Sequence, residues 1–97
     1  MKHAQQREVR IIGARCASQE ALHEFVARKL GFPEYYGENL SALADCLSEV
    51  DEPTRITVAI NEDDVSPGMQ AYVIRFVQVC AREALVNENL SFVIEHL

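Results

Sequence analysis

The chain has 97 residues, 48% of them hydrophobic and 25% charged, and a formal net charge of −6. This length predicts a single domain over residues 1–97 whose modest core needs no disulfide or metal, and the composition excludes a disordered chain. No apolar run approaches the roughly 20 residues of a membrane span, and the polar start leads into no signal-peptide stretch. We therefore expect a cytoplasmic protein without membrane contact, with residues 1–6 as a flexible extension.

The first third of the chain predicts a strand followed by a helix. Arg7 to Gly13 is rich in β-branched residues and ends on a glycine, which favours a strand. Ser18 is a good N-cap for a helix over Gln19 to Leu30, in which apolar residues recur at helical spacing. Gly31 ends this helix, and the Phe32-Pro33 pair prevents it from continuing.

A second, shorter helix is predicted from the N-cap Asn39 to about Ser48. Its apolar residues follow the i, i+3, i+4, i+7 pattern of one buried stripe, namely Leu40, Leu43, Ala44 and Leu47. Asp45 lies off this stripe, so its carboxylate should face solvent or a partner.

The second half of the chain predicts a strand, a long helix and a final strand. Thr54 to Ile60 alternates β-branched residues, and Asn61 to Val65 is an acidic loop with room for an extra turn. Ser66-Pro67 opens a helix that should end near Asn87, and Leu90 to His96 reads as the last strand. The predicted fold is therefore α/β in the order β-α-α-β-α-β, with parallel strands joined by right-handed crossovers.

The negative charge is concentrated in one interval. No Lys or Arg occurs between Lys29 and Arg55, and the interval holds six acids, namely Glu34, Glu38, Asp45, Glu49, Asp51 and Glu52. A concentrated negative field repels phosphate and attracts basic partners, so we expect a protein partner and no direct binding of nucleic acid. Alternatively, these acids form a solvated face that only aids solubility.

Catalytic and cofactor signatures are scarce. The histidines are scattered, there is no phosphate loop, nucleophile elbow or zinc signature, and Cys16, Cys46 and Cys80 lack the short spacing of paired ligands. We expect reduced thiols, no cofactor, no metal and no enzymatic activity. His23 would need an acidic partner to act as a base, and an exposed helical position is the more common case.

The segment leading into the second helix has the composition of a binding surface. Tyr35 and Tyr36 supply rigid amphipathic surfaces that lose little entropy on binding. Gly37 would let a partner side chain approach the backbone, and Asn39 caps the helix on which Asp45 stands without a local cation. The alternative is that the tyrosines belong to the core and the acids are solvated.

This segment resembles the barstar family, the intracellular inhibitors of the secreted ribonuclease barnase. The matching run is PEYYGENL followed by AL and then DCL, within residues 32–47, and weaker likeness extends over about residues 7–97. The resemblance implies a three-stranded parallel sheet packed by three to four helices. It also implies that a loop and helix plug a nuclease active site, with acids in place of substrate phosphates. The partner would be a basic extracellular or toxin-type ribonuclease, and the free inhibitor a monomer.

The resemblance also assigns interface roles. Tyr35 matches the tyrosine that stacks in the nuclease cleft, Asp45 the aspartate that enters the catalytic basic cluster, and Gly37 and Asn39 match loop and cap positions. The predicted partner-binding residues are Tyr35, Tyr36, Gly37, Asn39, Ser41, Ala42, Ala44, Asp45, Glu49 and Glu83.

Three positions depart from the family pattern. Ser41 replaces an interface aspartate, and Ala44 replaces an interface tryptophan. Arg82 falls in register with an interface glutamate, although Glu83 is adjacent. These departures leave open a second hypothesis, a binding module of the same fold whose partner is not a nuclease.

Overall fold

The structure, a computed structural model, describes residues 6–97 apart from the side chain of Glu62. The predicted extension over residues 1–6 lies outside these residues except for Gln6, whose side chain donates a hydrogen bond to the Ser91 hydroxyl (3.3 Å). The elements are β1 (Arg7–Ile12), α1 (Gln19–Leu30), α2 (Leu40–Ser48), β2 (Thr54–Ile60), α3 (Pro67–Val86) and β3 (Leu90–His96), with 3-10 turns at Gly13–Cys16 and Glu62–Asp64.

The three strands form one parallel sheet in the order β1-β2-β3. Thr54 is in register with Arg7 on one side and with Leu90 on the other, and the pairing continues along each strand. The α/β class and the element order β-α-α-β-α-β are thereby confirmed, and the extra turn in the acidic loop is the 3-10 turn.

The helices lie on one face of the sheet. In β1, Val9 and Ile11 are buried against the helices, whereas Arg10 and Ile12 are exposed. Because the strand order advances in one direction, crossovers of the same hand bring every helix to the same side. On the open face Arg10 pairs with Glu95 across the sheet (3.1 Å).

The first strand ends at Ile12, so the predicted end at Gly13 was one residue too far. Gly13 is buried and begins the 3-10 turn. A Cβ atom at this position would overlap the Cβ of Asp64. Gly13 therefore allows two loops to pack closely, at the point where the strand is followed by the 3-10 turn.

The ends of α1 follow the predicted chemistry. The Ser18 hydroxyl accepts a hydrogen bond from the Ala21 amide (3.0 Å), as an N-cap does. Gly31 has a left-handed backbone (φ 68°, ψ 36°), and its N–H group bonds to the Ala27 carbonyl.

The three cysteines are free thiols. Cys16 and Cys80 are buried and Cys46 is half-buried. Burial raises the pKa of each thiol, and the neighbouring carboxylates of Glu49 and Asp45 raise that of Cys46 further. All three are therefore protonated at neutral pH and poor nucleophiles.

Among the helices of residues 6–97, none is long and apolar enough to cross a bilayer.

Candidate functional site

The outward face of α2 carries half of the predicted interface residues. Leu43 and Leu47 point inward and are fully buried, which turns the opposite side of the helix outward. Helical geometry places five of the predicted residues on this outward side. They are Ser41 and Asp45 at its centre, Ala44 and Ala42 at its edges, and Glu49 at the end of the helix. Ser41, Asp45 and Glu49 are exposed, and the two alanines are half-buried.

The start of α2 is capped by Asn39. Its side-chain oxygen accepts a hydrogen bond from the Ala42 amide (2.8 Å), and its side-chain nitrogen donates to the Gly37 carbonyl (3.2 Å). A Cβ atom on Gly37 would approach that nitrogen to 3.1 Å. Gly37 is exposed, and within this chain it gives the capping amide the room it needs.

The six acids of the cation-free interval are all exposed. Within the described residues, only Glu52 forms an ion pair, at 3.7 Å from Arg7. Asp45 lies in the last turn of α2 and Glu49 at its C-cap, next to the negative end of the helix dipole, and this turn contains no basic residue. Anions at that end are unfavourable for the isolated helix, so this charge distribution opposes the stability of α2 instead of supporting it.

The loop that precedes α2 turns its two tyrosines in different directions. The Tyr36 amide bonds to the Pro33 carbonyl (2.9 Å) and closes a turn. Tyr35 in this turn is 88% exposed. Tyr36 is half-buried, and its ring packs against Phe32 with a centroid distance of 5.0 Å. Glu38 then adopts a left-handed backbone (φ 53°), an uncommon conformation for a residue that is not glycine.

The expectation that His23 is an exposed helical residue was wrong. Its side chain is fully buried. Nδ1 lies 2.5 Å from the Tyr36 hydroxyl, and Nε2 lies 2.6 Å from the Tyr72 hydroxyl on α3. The two hydroxyls satisfy both ring nitrogens, which makes the burial of a polar side chain tolerable.

Burial also sets the protonation states of this trio. It lowers the pKa of His23 and raises those of Tyr36 and Tyr72. All three groups are therefore neutral at pH 7. Among the described residues, no hydrogen bond joins His23 to a carboxylate, the acidic partner that a catalytic base of this type would use.

Sequence reasoning did not connect these three residues. The apolar spacing of α3 predicts that Tyr72 points inward, but nothing in the linear pattern joins it to α1. A usable signal was the helical spacing of His23 with Val26 and Leu30, both buried, which places the histidine on the inner side of α1.

Two positions on α3 also bear on the predicted interface, and α3 packs against α2. Glu83 is half-buried and Arg82 is exposed, and neither forms an ion pair within the described residues. The C-terminal ends of α2 and α3 are joined by Asn87, whose side-chain amide donates to the carbonyls of Leu47 and Val50 (both 3.0 Å). Glu83 is thus one helical turn before the residue that ties the two helices together.

The arrangement as a whole suits recognition of a protein surface. Residues 6–97 contain no group of three or more His, Cys, Asp or Glu side chains that could hold a metal ion. What α2 and its preceding loop offer is an exposed aromatic ring, exposed carboxylates and a capped helix end.

Comparison with known proteins gives a family match over most of the chain. The family model described as Barstar (barnase inhibitor) matches residues 6–95. A Bacillus subtilis (strain 168) protein named "Putative ribonuclease inhibitor YrdF" is 48% identical to this chain over 42 residues. That match covers 43% of this chain and 46% of the relative, so the similar region spans less than half of the relative's length.

Proposed function

The chain belongs to the barstar family of barnase inhibitors, and on this basis we propose that it inhibits a basic ribonuclease by occluding the active site. The contact surface would be the loop 33–39 together with the outward face of α2. Asp45 would enter the cluster of cations that normally binds substrate phosphate, and Tyr35 would lie against the wall of the cleft. The free inhibitor would be a monomer, with no activity as an enzyme.

The observation that carries this proposal is the position of Asp45. Its carboxylate is exposed, has no cation partner within the described residues, and lies in the last turn of α2 near the negative end of the helix dipole. Local rules of helix stability disfavour a carboxylate there, and such violations are expected at functional sites. A basic partner would supply the missing counter-charge.

Association with the nuclease should be fast and should slow steeply as salt is added. The six exposed acids would steer a basic enzyme inward, and mobile ions screen that field over about 8 to 10 Å at ordinary ionic strength. The association rate constant, measured by stopped flow from 20 to 500 mM NaCl, tests this expectation. A rate that is independent of salt would mean that the acidic face does not guide docking.

The function itself is tested by titration of a ribonuclease. Barnase is the reference enzyme because the family's description names it. RNA cleavage is followed while the inhibitor is added in increasing molar ratio. A pancreatic-type ribonuclease serves as the control, because a protein that protected the RNA itself would slow cleavage by both enzymes. We expect cleavage by barnase to fall as a 1:1 complex forms. If full cleavage persists with the inhibitor in large excess, the proposal fails for enzymes of the barnase type.

A second candidate function is a barstar-fold module whose protein partner is not a nuclease. It is favoured by Ser41 and Ala44, which replace an anion and an aromatic ring of the family interface, and by Arg82 in place of an acid. The acidic face and the exposed Tyr35 fit this alternative equally well, because any basic partner would be attracted to them.

Restoring the family residues should test whether the α2 face is the surface that binds barnase. The double variant Ser41→Asp, Ala44→Trp should bind barnase roughly fivefold more tightly, because it adds one anion and one aromatic contact on the α2 face. Isothermal titration of both proteins with barnase measures this. The control pair, Ser66→Asp with Ala14→Trp, changes charge and aromatic content equally, and both positions are exposed and lie outside α2 and its loop. An equal gain in that control would show that the effect is not specific to the proposed face.

A further inference from the structure

The loop 33–39 is attached at its end by the Asn39 cap of α2, and in its middle by one half-buried side chain, that of Tyr36. Every residue from Pro33 to Asn39 is exposed except Tyr36. Residues 33–38 belong to no helix or strand, and their backbone turn is closed by one bond, from the Tyr36 amide to the Pro33 carbonyl. What holds Tyr36 therefore holds the part of the loop that carries Tyr35.

Tyr36 is held by a buried chain of hydrogen bonds that crosses three segments. Its hydroxyl meets Nδ1 of His23 on α1, and Nε2 of the same ring meets the Tyr72 hydroxyl on α3. The His23 ring is also in edge contact with Phe76, at a centroid distance of 6.2 Å. The imidazole is thus fixed on both sides and cannot rotate without losing a bond.

A neutral imidazole has one N–H donor and one acceptor nitrogen. One tyrosine hydroxyl must therefore donate to the ring while the other accepts from it. If the Tyr72 hydroxyl donates to Nε2, then Nδ1 carries the proton and donates to Tyr36, and the reverse assignment is the only other neutral one. Either way, the bond at Tyr72 determines the tautomer that Tyr36 encounters.

We propose that Tyr72 and His23 are positioning residues that hold the loop 33–39, and with it Tyr35, in the docking conformation before the partner arrives. Neither residue touches the partner in this proposal. They act through Tyr36, and they reduce the conformational entropy that the loop would otherwise lose on docking. The consequence for affinity rests on the proposed inhibitor function, whereas the consequence for loop order does not.

The variant Tyr72→Phe tests the proposal, because it removes one hydroxyl and keeps the ring. In the free protein we expect the Tyr36 amide to exchange with solvent about fivefold faster, since opening of the turn becomes more frequent. We also expect the ring nitrogen resonances of His23 to change from those of one fixed tautomer to a mixture. The affinity for barnase should fall by about fivefold.

The control Val73→Ala separates positioning from general destabilisation. Val73 is a buried neighbour on the same helix, so its truncation lowers global stability but leaves the hydrogen-bonded trio intact. After global unfolding is subtracted, we expect parental exchange at Tyr36, a parental His23 spectrum and parental affinity. Equal effects in Val73→Ala and Tyr72→Phe would overturn the proposal.

The remaining outcomes are also decisive. Unchanged Tyr36 exchange in Tyr72→Phe would refute the positioning role, whatever the affinity does. Faster exchange with unchanged affinity for barnase would show that loop order does not matter for docking, which also overturns it. If the parent protein does not inhibit barnase at all, the inhibitor function fails for that enzyme, and the exchange and the His23 spectrum still decide whether the trio orders the loop.

Discussion

Replacement of Asp45 by alanine should weaken binding to the nuclease more than any other single change, by at least about 2 kcal/mol, or roughly 30-fold. This magnitude is that of close interfacial charge pairs in general, for which the barnase–barstar complex is a standard example. The reason is an asymmetry. The partner's active-site cations lose their water on docking, and without Asp45 they are buried with no counter-charge.

The same substitution should leave the fold intact. The Asp45 side chain is exposed and makes no ion pair within the described residues. Its backbone carbonyl, which accepts a hydrogen bond from the Ser48 hydroxyl (2.7 Å), remains after the change. Alanine favours a helix more than aspartate does, and a negative charge is removed from the C-terminal end of α2. The free energy of unfolding should therefore stay constant or rise by about 0.5 kcal/mol.

Glu52→Ala is the matched control for charge. Glu52 belongs to the same acidic interval, and its side chain is 67% exposed beside Arg7. An exposed charge at the rim of an interface contributes little to binding, so we expect Glu52→Ala to lower the affinity for the nuclease by less than about 1 kcal/mol. Both variants are titrated against the nuclease by following RNA cleavage, and their unfolding is followed in urea. If Asp45→Ala inhibits as well as the parent while folded, the mechanism of phosphate imitation is wrong and only the fold is shared with the family.

Tyr35→Ala should have the second-largest effect, a loss of about 1.5 kcal/mol in binding free energy. The ring is 88% exposed in the free protein, so its burial would occur almost entirely on docking. A tyrosine of this kind contributes both apolar area and stacking, and it has only two side-chain torsions to immobilise.

The variant Tyr35→Phe isolates the contribution of the ring. It keeps the aromatic surface and removes the hydroxyl, so it should retain most of the affinity if stacking is the main contact. Stability should be unaffected in both variants, because Tyr35 contacts solvent in the free protein. A loss as large in Tyr35→Phe as in Tyr35→Ala would assign the effect to a hydrogen bond of the hydroxyl. Parental affinity in Tyr35→Ala would remove this residue from the interface.

Local sequence signals were sufficient to determine the order of the three strands and the three α-helices. α1 begins after Ser18 and ends before Gly31. Each of these residues makes its capping hydrogen bond to a residue only three or four positions away. The apolar stripe of α2 likewise predicted which side of that helix is buried, and hence that Asp45 is exposed. Helix ends and helix faces can be predicted from the sequence because they depend on residues within one or two turns of each other.

The acidic interval was also readable from the sequence, because a run without cations is a property of composition. The sequence could not tell whether the acids would be neutralised by cations from elsewhere in the chain. Only the tertiary structure placed Arg7 beside Glu52 and no cation of the described residues beside the other five acids.

The role of His23 was decided by tertiary structure alone. Its partners, Tyr36 and Tyr72, are 13 and 49 residues away, so no local rule relates them. The exposed position expected for this histidine rested on the usual cost of burying a polar ring. That cost is avoided here because two hydroxyls from separate segments meet both ring nitrogens. A linear pattern specifies which face of a helix is apolar, but the packing of the helices determines which polar groups find partners inside.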